Sequence, residues 1–505
     1  MNIVIRTDSS VHIGSGHVMR NLVLAKELER LGHKVSFASR PQEGDSIDYI
    51  KQQGFAVHEL AGLDERLIPK SSDDYIAWLQ VPIQTDIAQF CSIIKSIDLV
   101  VVDHYALGAE WQEEIKSHYD CKIVAIDDLV REHRADIVID QTLLRKPEEY
   151  VKRNNKGINL TGSEYALLHP KFTAKRELAL DNNSCPSNLS VLLSMGGIDK
   201  DNVTLSVLKA LVLLKSEKPK VTVLLSRKSP SYEDVKSFCM QHSDWTNHID
   251  FSDNMADEFL AHAIAIGAPG TTAWERACLG VPSIIIPLAK NQRTIATNLV
   301  KSEAAILIEP EQIKTGLTKF YKTLVLNWSK YRRNSLKICD GLGVKRVSRY
   351  IDNLLLGKVN KVLLRAASTE DIEQVYMWQC RPETRKYALT SEIPTWDTHK
   401  VWMQNKLESV QDYFYIIQAG DTKEAVGVIR LDRIKSAEYL VSIFICPEEF
   451  GKGIAKNALQ FIDDVHQHVT LHATVMEDNA PSQQLFITAN YQRTSKDNFI
   501  RLPII

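Results

Sequence analysis

The chain has 505 residues, too many for a single hydrophobic core, so roughly two to four domains are expected. With 44% hydrophobic and 25% charged residues and no low-complexity tract, the composition is that of a globular protein. A formal net charge of −2 argues against a nucleic-acid binder driven by phosphate contacts, while leaving room for a local basic pocket. The cysteines at 91, 121, 185, 239, 278, 339, 380 and 446 are scattered, with no Cys-x-x-Cys. They fit buried thiols in a reducing compartment, not a disulfide framework or a zinc site. No run of about 18 apolar residues could span a membrane, and no leader-like segment opens the sequence. The expected location is the cytoplasm.

Residues 1–6 form a β-branched run suited to a buried strand. A polar, Gly-containing loop follows over 7–16, and a helical pattern begins at His17. Such a strand–turn–helix brings backbone N–H groups and a helix N-terminus close to a bound anion. Gly14 and Gly16 leave room for close approach. Arg6, Asp8, His12, His17 and Arg20 crowd the strand's carboxyl end with polar groups that a purely structural turn does not need. Further strands are expected at 33–38, 55–59, the end of 93–105, 123–128 and 135–140. Alternating with helical segments, they predict a doubly wound parallel sheet. Asp103, Tyr105, Asp127 and Asp128 would then face the same crevice as His17, either as helix caps or as ligand contacts.

The segment RTDSSVHIGSGHVMRNLVLAKEL resembles the opening of the UDP-sugar hydrolases of pseudaminic acid biosynthesis, relatives of the MurG-like GT-B glycosyltransferases. The resemblance implies that His17 is the base that activates water. The polar cluster, the Gly turn and the strand ends themselves make Arg6, Asp8, Gly14, Gly16, Arg20, Asp103 and Tyr105 candidate substrate contacts. GSEYALLHPKF, residues 162–172, resembles the segment that closes the family's first domain.

A second α/β unit is expected from about 188. NLSVLLSMGG runs a strand into Gly196 and Gly197, whose amides are suited to a diphosphate; Asp199 and Asn202 are candidate caps of the next helix. Another strand is read at 221–226, and a short strand with a loop at 249–255. In AIGAPGTTAWERACLGVPSIIIPLAKNQ, residues 265–292, Thr271 or Thr272 would cap a helix carrying Glu275. This order resembles the nucleotide-binding half of MurG-like enzymes. By that resemblance Glu275 meets the ribose hydroxyls, the turn with Thr271 and Thr272 joins Gly196 and Gly197 at the diphosphate, and Asn291 and Gln292 face the sugar. The resemblance covers roughly residues 1–350.

After a short passage near 354–361 the pattern changes to strands at 362–368, 413–419, 425–434, 439–446 and 471–476. This order resembles the GNAT N-acetyltransferases over about 361–505. It implies that Gly451, Lys452, Gly453, Ile454, Ala455 and Lys456 hold the pyrophosphate of acetyl-CoA, that Ile443, Phe444 and Ile445 run beside its pantetheine arm, and that Asn479 and Ser482 flank the cofactor. Phe450 stands where the family has Arg or Gln, and Phe486 where it often places a Tyr acid. Tyr387, Tyr439, Tyr491 or a water would have to serve instead. Residues 386–403 loosely resemble the substrate side of the pseudaminic-pathway acetyltransferases.

The expected architecture is α/β: two Rossmann-like domains in GT-B arrangement, residues 1–185 and 186–355, followed by a mixed α/β GNAT domain, residues 361–505. The resemblances imply inverting hydrolysis of UDP-2,4-diacetamido-2,4,6-trideoxy-β-L-altropyranose without a metal, joined to acetyl-CoA-dependent N-acetylation. The expected partners are a UDP-sugar and acetyl-CoA, with no nucleic acid and no membrane span. A glycosyltransferase, a hydrolase of another nucleotide sugar and a nucleotide-sugar binding protein are the competing readings. A protein or peptide acetyltransferase competes for the last domain.

Overall fold

Seven parallel strands carry the first part of the chain: β1 (Asn2–Thr7), β2 (Lys34–Ser39), β3 (Ala56–Glu59), β4 (Leu99–Asp103), β5 (Lys122–Ile126), β6 (Ile137–Asp140) and β7 (Ile158–Thr161). Their order is β3-β2-β1-β4-β5-β6-β7. The central strands are continuous apolar runs, as a sheet covered on both faces requires. Strand order reverses between β1 and β4, where Thr7 pairs with Asp103. The loops after these two strands therefore start side by side at a topological switch point, where open α/β sheets bind ligands.

The computed structural model describes all residues except 64, 65, 72, 155, 183, 187, 188, 197, 421 and 505, so Gly197 lies outside the described residues.

A second parallel sheet repeats the plan: β8 (Ser190–Ser194), β9 (Lys220–Leu224), β10 (Thr246–Ile249), β11 (Ile264–Gly267), β12 (Ser283–Ile285) and β13 (Ala305–Leu307), in the order β10-β9-β8-β11-β12-β13. Its switch point lies between β8 and β11, where Ser194 pairs with Gly267. The loops carrying Gly196 and Thr271 flank it.

Two helices stitch the lobes together. Helix Pro170–Asp181, which follows the first sheet, packs on the second lobe: Arg176 donates to the carbonyls of Cys278 at 2.7 Å and Leu336 at 2.8 Å. Helix Gly343–Leu355 returns to the first lobe, where Lys345 reaches Glu27 at 2.8 Å and Arg346 donates to the Glu164 carbonyl at 2.8 Å. Residues Met1–Leu355 thus form one compact unit and Leu356–Ile505 another.

The second unit is a mixed sheet: β14 (Val362–Ala366), β15 (Tyr413–Ala419), β16 (Ala425–Lys435), β17 (Glu438–Ile445), β18 (Thr470–Thr474), β19 (Gln492–Arg493) and β20 (Asn498–Arg501). The order is β14-β15-β16-β17-β18-β20-β19. All neighbours run antiparallel except β17 and β18. That parallel pair is brief: Glu438–Leu440 meet Thr470–His472, and the strands then part. Residues 441–445 pair with β16 on one side, and β18 does not pair with them on the other.

The expected α/β class and its three successive sheets describe the molecule. The short strands β7, β13, β19 and β20 were not expected, and the strand placed at 249–255 lies earlier, at Thr246–Ile249, with a loop after it.

Candidate active sites

His17 opens the second residue of helix Gly16–Arg30 and is only 8% exposed. Its Nδ1 lies 3.8 Å from Asp103 Oδ1 and has no hydrogen-bond partner. Burial lowers His17 to about 4; Arg20 and Arg131 add to the shift and Asp103 opposes it. The ring is therefore neutral near pH 7, and one of its nitrogens is free to accept a proton. One turn further along the helix, Arg20 clamps Asp103 with two bonds of 2.7 and 2.5 Å. Asn21 donates to the same carboxylate at 2.6 Å and to the His17 carbonyl at 2.9 Å. Burial pushes Asp103 up, but Arg20, His17 and Asn21 outweigh it and hold the carboxyl below its usual range.

Around this group stands an aromatic wall. The His17 ring meets Tyr105 edge-on at 4.9 Å, and Tyr75 and Trp78 pack on Tyr105 at 4.8 and 5.7 Å. The Tyr105 hydroxyl donates to Asp128 at 2.7 Å.

The second lobe supplies the other side. Asn291 donates across the lobes to the Tyr105 hydroxyl at 3.4 Å. A Cβ built at Gly16 would stand 4.0 Å from the Thr271 hydroxyl, so the two Gly-bearing turns face each other closely. Gly196 is exposed, with a φ of +94° and open space around it, leaving its backbone accessible. Thr271 occupies the N-cap of helix Thr272–Cys278 without a side-chain cap bond, and Thr272 donates back to the Ala268 carbonyl at 3.5 Å. On that helix Glu275 Oε2 is shielded and has no partner. Burial raises Glu275 to about 7 against the pull of Arg276.

Other sequence candidates have structural partners. Arg6 and Asp8 are wholly buried. Arg6 donates to Asp8 at 2.6 Å and to Asp86 at 2.7 Å, and Asp86 also accepts from Arg40 at 2.8 Å and Trp111 at 3.0 Å. This buried network fixes the base of the His17 loop. Gln292 accepts from the Leu288 amide at 2.8 Å and so holds its own turn. Asp199, not Asn202, caps helix Val203–Val212, accepting from the amides of Val203 and Thr204 at 2.9 and 2.8 Å. Sequence reasoning passed over Asn21, whose signal is its position four residues after His17 on one helix face. It also passed over Asp86 and Arg40, which carry no local signal.

In the C-terminal unit, residues Phe450–Gly453 form an exposed turn opening helix Ile454–Val465. Gly451 and Gly453 have φ of +77° and +75°, with open space at the first and only the Asn457 amide near the second. This left-handed turn suits glycine and stands at a helix N-terminus. Lys452 is paired with Glu449 at 2.7 Å, Ile454 is buried, and Ala455 and Lys456 lie in the first turn. Ile443, Phe444 and Ile445 lie on the part of β17 from which β18 has diverged. The Asn479 side chain caps the helix Ala480–Thr488, accepting from the Ser482 amide at 3.2 Å. Of the tyrosines proposed as acid, Tyr439 and Tyr491 are core residues, and Phe486 packs on Tyr491 at 5.0 Å; Tyr387 is half-buried. Among the described residues, no three His, Cys, Asp or Glu side chains gather to hold a metal ion, and no helix is long and apolar enough to cross a membrane.

Residues 194–344 match the family model of the glycosyltransferase family 28 C-terminal domain, and residues 361–491 match that of the acetyltransferase (GNAT) domain. The chain is 27% identical over 307 residues to a UDP-2,4-diacetamido-2,4,6-trideoxy-β-L-altropyranose hydrolase of Campylobacter jejuni, covering 60% of this chain and 97% of that one. It is 24% identical over 512 residues to an uncharacterized protein of Methanocaldococcus jannaschii, with 98% of each chain covered, so that similarity runs through both units. The structure is similar to that of Acinetobacter baumannii MurG, with a TM-score of 0.49 and 15% identity, covering 70% of this chain and 99% of that one. The chain thus joins a segment similar to a nucleotide-sugar hydrolase to a segment that matches the GNAT acetyltransferase domain.

Proposed function

We propose that the first unit hydrolyses UDP-2,4-diacetamido-2,4,6-trideoxy-β-L-altropyranose to UDP and the free sugar. The GNAT domain makes that substrate by acetylating the 4-amino group of its UDP-sugar precursor, so one cytoplasmic chain carries two consecutive steps. The observation that carries the reading is His17: a neutral, sheltered imidazole beside a clamped carboxylate, next to Gly16, which faces Thr271 of the second lobe. With Nδ1 turned to Asp103, the other ring nitrogen takes a proton from water as its oxygen attacks the anomeric carbon. The bond between that carbon and the UDP oxygen breaks, and attack from the opposite face inverts the centre. Main-chain amides at Gly196 and at the Thr271–Thr272 turn meet the departing charge, a role that needs no metal. Glu275, with an unpartnered oxygen, accepts from the ribose hydroxyls.

In the GNAT domain the exposed turn 450–453 and the free edge of β17 fit the pyrophosphate and pantetheine of acetyl-CoA. The amine attacks the thioester carbonyl, a C–N bond forms, the nitrogen gives up one proton to water, and the C–S bond breaks to release the CoA thiol. Its proton comes from Tyr387 or a water, since Tyr439 and Tyr491 are enclosed.

His17→Asn tests the first reaction. Turnover should fall by about two to four orders of magnitude, as for loss of a general base, with UDP affinity within twofold. Equal loss of both contradicts the assignment. The match to the glycosyltransferase family 28 model favours one alternative, a transferase, which would form product only when an acceptor hydroxyl is added.

A further inference from the structure

Asp127 and Asp128 are adjacent at the carboxyl end of β5, yet their surroundings differ. Asp127 is fully engaged: Arg131 donates to it from the side chain and the main chain at 2.8 Å each, Tyr150 donates at 2.9 Å, and His133 stands at 3.1 Å. It is a structural anchor. Among the described residues Asp128 has one side-chain partner, the Tyr105 hydroxyl at 2.7 Å on Oδ2, and its Oδ1 is shielded from solvent and has no hydrogen bond.

Tyr105 places this spare oxygen. Its ring packs edge-on against His17 at 4.9 Å, and its hydroxyl also receives Asn291 from the other lobe at 3.4 Å. The Asp128 carboxylate therefore lies in the interlobe crevice, one side chain away from the proposed base. The nearby cations are committed elsewhere: Arg20 to Asp103, Arg131 to Asp127, and Arg145 to Asp140 at 2.7 Å. A carboxylate oxygen that is buried and unpartnered is costly, and a ligand that donates to it removes the cost. Its charge repels a diphosphate, so the complementary group is a neutral donor, an amide N–H or a hydroxyl. Burial and Asp127 raise the carboxyl to about 6, opposed by Arg20, which fits an acceptor awaiting a donor.

We propose that Asp128, held by Tyr105, is the residue of the first lobe that recognises the sugar, accepting a hydrogen bond from an amide N–H or hydroxyl of its ring substituents. This rests on the nucleotide-sugar reading above and adds a specificity-determining residue to it.

The test is calorimetric binding of UDP and of UDP-2,4-diacetamido-2,4,6-trideoxy-β-L-altropyranose to the full chain in a His17→Asn background, where the sugar is not consumed. The sugar nucleotide should bind more tightly than UDP. Asp128→Ala should weaken its binding about 10- to 100-fold, as for a bond to a charged acceptor, and leave UDP within twofold. Asp128→Asn keeps shape and one acceptor, so it should lose less; it also serves if the alanine variant does not bind UDP at all. The proposal is overturned by wild-type sugar contacts that add no affinity over UDP. It is equally overturned by substitutions at 128 that leave the sugar's gain intact, or that weaken UDP and sugar nucleotide alike. Hydrolysis is measured separately with His17 in place: a sugar-specific gain that depends on Asp128, without UDP release, would refute the reaction and leave this recognition role standing.

Discussion

Replacing Asp103 by Asn keeps the side chain's shape and removes its charge. The wild-type carboxylate accepts three bonds of 2.5 to 2.7 Å from Arg20 and Asn21, and all three side chains are buried. The variant strands the Arg20 guanidinium, which is 4% exposed, without a counter-ion. Breaking a buried pair from one side costs about 3–5 kcal/mol; because the Asn oxygen still accepts one bond, about 3 kcal/mol is expected. At about 2.1 cal/mol/K per residue, a unit of this size shifts roughly 1–1.5 °C per kcal/mol, so the midpoint of its transition should fall by about 3–5 °C. Differential scanning calorimetry of the full chain at pH 7 reads this directly. Asp103 is held below the usual carboxylate range, so its contribution is present above the unfolded value of about 3.9 and is lost as pH falls through the lower folded value. The gap between wild type and variant should therefore stay constant from pH 7 down to about 5 and close in stronger acid. Turnover should fall about 100-fold or more, because the Asp103 charge 3.8 Å from Nδ1 favours the imidazolium that His17 becomes when it takes the proton. A stability loss below about 1 kcal/mol with normal turnover would refute the clamp as described.

Burial holds His17 and His104 at about 4, below their unfolded value, so the stability they contribute is full above about pH 6.5 and is lost as pH falls toward 4. Denaturant titrations at pH 7, 5.5 and 4.5 should show a shallower decline in His17→Asn than in wild type; an unchanged slope contradicts the burial argument. Glu275→Gln should weaken UDP binding by about tenfold. It should also stabilise the unit at pH 8, because a carboxyl raised to about 7 costs stability as pH rises above its unfolded value; a destabilised variant at pH 8 would count against this. Gly453→Val places a β-branched residue at φ +75°, so acetyl-CoA-dependent transfer, read as CoA thiol release, should drop more than tenfold while UDP release is unchanged. Normal transfer would show that the turn does not hold the cofactor.

Much of the frame was legible because it is local. The apolar run of β1, the turn Gly14-Ser15-Gly16 and the helix after His17 are set by neighbours in sequence. Arg20 and Asp103 were legible as polar residues at one sheet edge, but their pairing depends on β1 and β4 lying side by side. Arg6 and Asp8 looked like ligand contacts by the same logic. They are enclosed because Asp86 and Trp111 arrive from distant helices, and nothing near residue 6 announces that. Likewise Asp199 caps its helix although Asn202 stands at the cap position, since Asn202 takes a left-handed φ of 53° and leaves the amides to the earlier carboxylate. The short strands β7 and β13 form where a neighbour offers an edge, and their own sequences are too short to carry a period that would announce them.

The most direct measurement is phosphorus NMR of the purified chain with UDP-2,4-diacetamido-2,4,6-trideoxy-β-L-altropyranose and no added acceptor. Release of UDP with formation of the free sugar, abolished in His17→Asn, is the predicted result. A nucleotide sugar that stays intact, or is consumed only once an acceptor hydroxyl is supplied, would contradict hydrolysis as the reaction of this unit.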